Sequence, residues 1–183
     1  MAEPWPLELI TGPARSGKSR WAEHLAQRSR CPVHYLATGP LLPDDDAWQQ
    51  RLARHRRRRP ADWHCLEVGE HLAAALTALP ADHLALVDSL GTWVSWTLEL
   101  DEGAWAERVD ALLASLAACS GRVLLVSEQT GWGVVPPTAI GGRFRDRLGA
   151  LEERLSGHCR HLWLVVAGRA LDLLALSEPV PCR

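Results

Sequence analysis

Short apolar runs alternate with amphipathic stretches along the chain. LELIT (Leu7–Thr11), VHYLA (Val33–Ala37), LALV (Leu84–Val87), RVLLV (Arg122–Val126) and HLWLVV (His161–Val166) have strand length, and Trp63–Glu67 is a further candidate strand. Their apolar character is continuous rather than alternating, which marks strands covered on both faces. Helical patterns lie between them. Ser19–Arg28 carries Trp21, Ala22 and Leu25 at helical spacing, Ala47–Arg57 follows the acidic start Asp44–Asp46, and Glu70–Leu79 is closed by Pro80. Trp93–Leu98, Ala104–Ala118 and Ala139–Ser156 complete the series, with a Gly/Pro-containing loop at Thr130–Pro137. This rhythm predicts an α/β fold: a mostly parallel sheet with helices on both faces. A length of 183 residues predicts a single domain spanning residues 1–183.

Composition narrows the class. With 47% hydrophobic and 23% charged residues the chain can bury a sizeable core. A net charge of −2 argues against a surface that is basic all round, so no nucleic-acid partner is expected. No apolar run approaches a membrane span, and the segment MAEPWPLELI has no basic leader, so the expectation is a cytoplasmic protein with no membrane span. Cysteines 31, 65, 119, 159 and 182 form no CxxC pair, which predicts reduced, mostly buried thiols with Cys182 exposed, and neither a disulfide framework nor a zinc site.

Of the 20 basic residues, Lys18 is the sole lysine, and it lies in GPARSGKS. Gly12, Pro13, Ala14, Arg15, Ser16, Gly17, Lys18 and Ser19 match G-x-x-x-x-G-K-[ST] at every fixed position. Glycines let backbone N–H groups curl around phosphates, the lysine reaches the β- and γ-phosphates, and the Ser19 hydroxyl can ligate Mg²⁺. An apolar strand precedes the motif and a helix follows it, so nucleotide binding is predicted. Asp88 ends LALVD in the manner of a Walker B carboxylate that approaches Mg²⁺ directly or through water.

Arg54–Arg59 reads RHRRRR. A solvated helix end accounts for some cations, but five in six residues repel one another, and a polyphosphate would relieve that through bidentate contacts. His55 among them should have its pKa lowered by like charge, leaving a neutral nucleophile. The other seven histidines lack ligand spacing and are expected at the surface or in satisfied contacts. Trp93, Trp96 and Trp132 lie just beyond predicted strand ends and are candidates for an apolar substrate wall, though core packing is the commoner role.

GPARSGKSRWAE, YLATG, RLARHRRRRPADWHCLE, LVDSLGTWVS, GWGVVP, RFRDRLG and LWLVVAG occur in that order over nearly the whole chain. The set closely resembles the bifunctional adenosylcobinamide kinase / adenosylcobinamide-phosphate guanylyltransferase family of cobalamin biosynthesis. The resemblance implies a RecA-like P-loop NTPase fold that assembles as a homotrimer with sites between subunits. It implies phosphorylation of adenosylcobinamide by a nucleoside triphosphate, ATP or GTP. GTP then guanylylates a histidine, which hands GMP to adenosylcobinamide phosphate to give adenosylcobinamide-GDP. The matching motif makes His55 that histidine, beside Lys18 as a catalytic residue. It puts nucleotide contacts at Gly12–Ser19, Ala37, Thr38, Gly39, Arg56, Arg57, Arg58, Arg59, Glu67 and Asp88, with Ser19 and Asp88 toward Mg²⁺.

Three segments depart from the family pattern. Ser127-Glu128-Gln129-Thr130-Gly131 stands for T-N-E-V-G, moving the carboxylate by one position, and Trp93-Val94-Ser95-Trp96 stands for W-V-T-N. In Gly149-Ala150-Leu151-Glu152-Glu153, Glu152 replaces the usual asparagine. The rival readings are a guanylyltransferase without the kinase step, a P-loop small-molecule kinase without covalent GMP, and a nucleotide-binding switch without turnover.

Overall fold

The computed structural model describes residues 5–40, 42, 44–133 and 135–181, except the side chains at positions 47, 48, 51, 54 and 55. The elements run β1 (Leu7–Thr11), α1 (Lys18–Arg28), β2 (Val33–Ala37), α2 (Asp46–Arg58), β3 (His64–Glu67), α3 (Leu72–Thr77) and β4 (Leu84–Asp88). They continue through α4 (Leu90–Ser95), α5 (Glu102–Ala118), β5 (Arg122–Val126), α6 (Ala139–Ser156), β6 (His161–Val166) and β7 (Arg169–Asp172). One seven-stranded sheet takes the order β3-β2-β4-β5-β1-β6-β7. Every pairing is parallel except the β6–β7 hairpin.

The two-residue period of a strand sorts each apolar run between two cores. Leu7 and Leu9 of β1, Ala85 and Val87 of β4, and Val123 and Leu125 of β5 face a cluster with Leu72 and Leu76 of α3, Trp93 of α4, Leu112 of α5 and Leu148 of α6. Ile10, Leu86, Leu124 and Val126 face the other side, against Ala22 and Ala26 of α1. Helices therefore cover both faces of a mostly parallel sheet, and a P-loop joins β1 to the first helix. This is the expected α/β architecture of a mostly parallel sheet with helices on both faces.

Several expectations are corrected. The helix expected at Trp93–Leu98 begins at Leu90 instead, because the Ser89 hydroxyl accepts from the Thr92 N–H and Thr92 caps it in return. Trp93 is consequently fully buried core rather than a ligand wall, while Trp96 and Trp132 stay exposed. The thiols are not mostly buried: Cys159 is buried and Cys119 half-buried, but Cys31 and Cys65 are exposed, and Cys182 lies outside the described residues. Strand β7 was not anticipated. Its turn, Ala167 at φ 50° and Gly168 at φ 75°, has two consecutive left-handed residues, the geometry of a tight two-residue hairpin.

Candidate functional site

A parallel sheet sends the C-terminal ends of its strands to one edge, and the functional segments follow those ends. The P-loop follows β1, Thr38 and Gly39 follow β2, Glu67 ends β3, Asp88 ends β4, and Ser127–Thr130 follow β5. Residues scattered over the sequence thus meet along one rim.

The P-loop is tightly braced. Gly12 has no room for a side chain, since a Cβ there would stand 2.2 Å from the Val165 carbonyl oxygen of β6. Arg15 and Gly17 both take positive φ, turning the chain into α1, and the Ser16 carbonyl accepts from Gly168 N–H at 3.0 Å. The unexpected β6–β7 hairpin is therefore the wall behind the loop. Lys18 begins α1, is buried, and points its ammonium at the Pro13 carbonyl oxygen at 3.5 Å.

Ala14, Arg15, Ser16, Gly17, Lys18 and Ser19 line a cavity of about 560 Å³. Arg20, Arg58, Glu128, Gln129 and Thr130 close it. A smaller adjoining cavity is lined by Ala37, Gly39, Arg59, Glu67 and Asp88, together with Tyr35, Ser89 and Thr92. Glu128 belongs to both walls. Of the residues expected to contact nucleotide, Gly12, Pro13, Thr38, Arg56 and Arg57 line neither cavity. Thr38 is fully buried, and its hydroxyl is engaged with the Ser89 carbonyl oxygen at 2.6 Å and with Thr92, so it braces the rim.

The arginine segment forms the last turn of α2 and the residue after it. Its charge repulsion is partly relieved by the protein itself. Arg56 pairs with Glu67 at 3.2 Å, Arg58 with the buried Glu23 at 3.0 Å, and the Arg59 guanidinium lies 3.5 Å over the Tyr35 ring. Arg57 is exposed. The backbone of His55 lies in α2, one helical turn before Arg58. Its side chain and that of Arg54 lie outside the described residues, as does the expected shift in the His55 pKa.

Sequence reasoning did not select Glu128 or Tyr35. The Glu128 carboxylate accepts from the Gly91 N–H at 3.0 Å, and a Cβ at Gly91 would meet its Oε2 at 2.2 Å. Burial raises the Glu128 carboxyl above the usual carboxylate range, opposed by Ser89 and Lys18 and reinforced by Asp88. The Tyr35 phenol, held protonated far above its ordinary range by burial and by Asp88, donates to Asp88 Oδ2 at 2.6 Å. A displaced carboxylate in SEQTG was a visible signal for Glu128; nothing in VHYLA marked Tyr35.

No group of three or more His, Cys, Asp or Glu residues able to hold a metal ion occurs among the described residues. A hydroxyl at Ser19 and a carboxylate at Asp88, on adjoining cavities, are hard oxygen donors of the kind that fits Mg²⁺. That ion usually takes one or two protein ligands and completes its shell with phosphates and water. No helix among the described residues is long and apolar enough to cross a membrane.

The fold and the rim it builds define a P-loop protein of the NTPase class, with a cavity of about 560 Å³ between the P-loop and an arginine-rich helix end. A sequence profile described as cobinamide kinase / cobinamide phosphate guanyltransferase matches residues 8–173, and the chain belongs to this family. It is 40% identical over 171 residues to the bifunctional adenosylcobalamin biosynthesis protein CobP of Pseudomonas aeruginosa, covering 91% of this chain and 96% of that one. It is 34% identical over 175 residues to the bifunctional adenosylcobalamin biosynthesis protein CobU of Salmonella typhimurium, covering 87% and 95%. Among solved structures, a RadB recombinase superposes with a TM-score of 0.49 at 16% identity, over 89% of this chain and 76% of that one.

Proposed function

We propose that this enzyme of cobalamin biosynthesis carries out both reactions of its family on one domain, with the residues of the rim in distinct roles. In the first, the adenosylcobinamide hydroxyl oxygen attacks the γ-phosphorus of ATP or GTP. The β–γ bridging bond breaks, and the nucleoside diphosphate leaves. The P-loop amides and Lys18 hold the phosphates and stabilise the charge that develops on them. Ser19 and Asp88 would hold Mg²⁺, which neutralises phosphate charge when bound.

In the second reaction a ring nitrogen of His55 attacks the α-phosphorus of GTP, and pyrophosphate leaves. The phosphate oxygen of adenosylcobinamide phosphate then displaces the histidine, forming adenosylcobinamide-GDP and freeing the imidazole. Arg56 to Arg59 are suited to stabilise the charge on the transferred group. Ala37, Gly39, Glu67 and Asp88, on the second cavity, are the contacts assigned to the guanine nucleotide.

The observation that most supports this reading is that Arg58, one turn beyond His55, lines the same cavity as the P-loop. None of the described side chains of α2 is buried, and all four residues of β3 are exposed. A homotrimer with shared sites would cover such surfaces, and we assign the enzyme to the cytoplasm, with no nucleic-acid partner.

Incubation with α-labelled GTP tests the covalent step. An acid-labile, base-stable adduct should form in the wild type and vanish in His55→Ala; labelling that survives this substitution removes His55 from the mechanism. Supplying adenosylcobinamide and adenosylcobinamide phosphate separately with GTP then reads the kinase and transferase steps independently.

A further inference from the structure

Two departures from the family pattern, Gln129 and Glu152, are far apart in sequence but touch in the fold. The Gln129 side-chain amide donates to Glu152 Oε2 at 2.8 Å and to the Thr11 hydroxyl oxygen at 3.1 Å, while the Thr11 hydroxyl donates to Glu152 Oε1 at 2.7 Å. The three side chains close a ring between the end of β1, the segment after β5 and helix α6. The Gln129 backbone N–H also donates to the Gly12 carbonyl oxygen at 3.0 Å, at the first residue of the P-loop, and Gln129 lines the phosphate cavity.

We propose that Glu152 is a positioning residue for the nucleotide site: by gripping Gln129 and Thr11 it holds the cavity wall of residues 128–130 in register with the P-loop. The proposal rests on the reading of that cavity as the nucleotide site. The physical basis is donor–acceptor matching. Gln129 and Thr11 supply N–H and O–H groups in a part-buried place, and a carboxylate with two acceptor oxygens satisfies both at once. Burial raises the Glu152 carboxyl above its usual range, against the hydrogen bonds from Thr11 and Gln129 that favour the charged form. Other groups on this wall do not substitute for it. Glu128 is committed to Gly91, and Lys18 to the P-loop.

The arrangement makes a directional prediction about charge placement. Gln129→Glu sets two carboxylates against each other across the 2.8 Å contact. Gln129→Glu combined with Glu152→Gln restores one carboxylate facing one amide, with donor and acceptor sides exchanged. Nucleotide affinity of the folded protein, measured by titration with a non-hydrolysable GTP analogue, should fall about tenfold in the single variant, the scale of one charged hydrogen bond lost at a part-buried site. It should return to within about twofold of wild type in the double variant.

If Gln129→Glu does not fold, Gln129→Met removes the hydrogen bonds without adding charge and should still weaken binding about threefold or more. Melting temperature is measured in parallel. A merely structural contact would lower it in the single variant while leaving affinity unchanged, and that result overturns the proposal. So does a double variant that binds as weakly as the single one. Wild-type protein that fails to bind the analogue, or Lys18→Ala that binds it normally, would instead count against the nucleotide site itself, so the two failures are distinguishable.

Discussion

Gly91→Ala is the most demanding single test of the rim, because it adds one methyl group to a helix and aims it at a carboxylate. The new Cβ would stand 2.2 Å from Glu128 Oε2 and 3.0 Å from its Cδ, with the Phe144 ring next at an ordinary 3.5 Å. Glu128 must swing away and surrender its 3.0 Å hydrogen bond from the Gly91 N–H. Losing a part-buried hydrogen bond to a charged acceptor costs about 1.5–3 kcal/mol, more than the gain of up to about 1 kcal/mol from replacing glycine by alanine in a helix. Net destabilisation is therefore expected from urea unfolding of the single variant. In a Glu128→Ala background the clash disappears, and the same Gly91→Ala change should become neutral or stabilising. Because Glu128 walls both cavities, nucleotide affinity should fall with Gly91→Ala alone. An equal cost of Gly91→Ala in both backgrounds, with no coupling in the double-mutant cycle, would refute the contact.

Two further outcomes follow from other parts of the fold. Lys18→Arg should weaken nucleotide binding by an order of magnitude or more in titration, because a planar fork replaces a compact ammonium in a buried position; unchanged affinity would remove the main support for the P-loop role. Burial pushes the Cys159 thiol up to about 12, so at pH 8 it stays protonated and iodoacetamide should modify the exposed Cys31 while sparing it, as read by peptide mass spectrometry. Prompt labelling of Cys159 in folded protein would contradict its packing.

Much of this was legible in one dimension because local rules and the fold agree. Five strands were bounded within a residue by continuous apolar runs, since strands covered on both faces have no polar side to alternate with. The P-loop, with its single lysine, was legible because phosphate binding demands glycine, lysine and serine at set spacing, and few other structures do. Where a local hydrogen bond outweighed periodicity, the reading failed: the capping pair Ser89 and Thr92 started α4 three residues early and turned Trp93 into core.

The chain by itself thus determined the fold class, the phosphate loop and the family, because each rests on short-range pattern or on motifs in fixed order. Only the tertiary structure decided which residues share a wall. It brought Glu128 beneath Gly91, Tyr35 onto Asp88 and Arg59, Gly168 behind the P-loop, and Glu152 against Gln129. Those partners are separated by 23 to more than 150 residues, and their contacts depend on sheet order and helix packing, which no local pattern encodes.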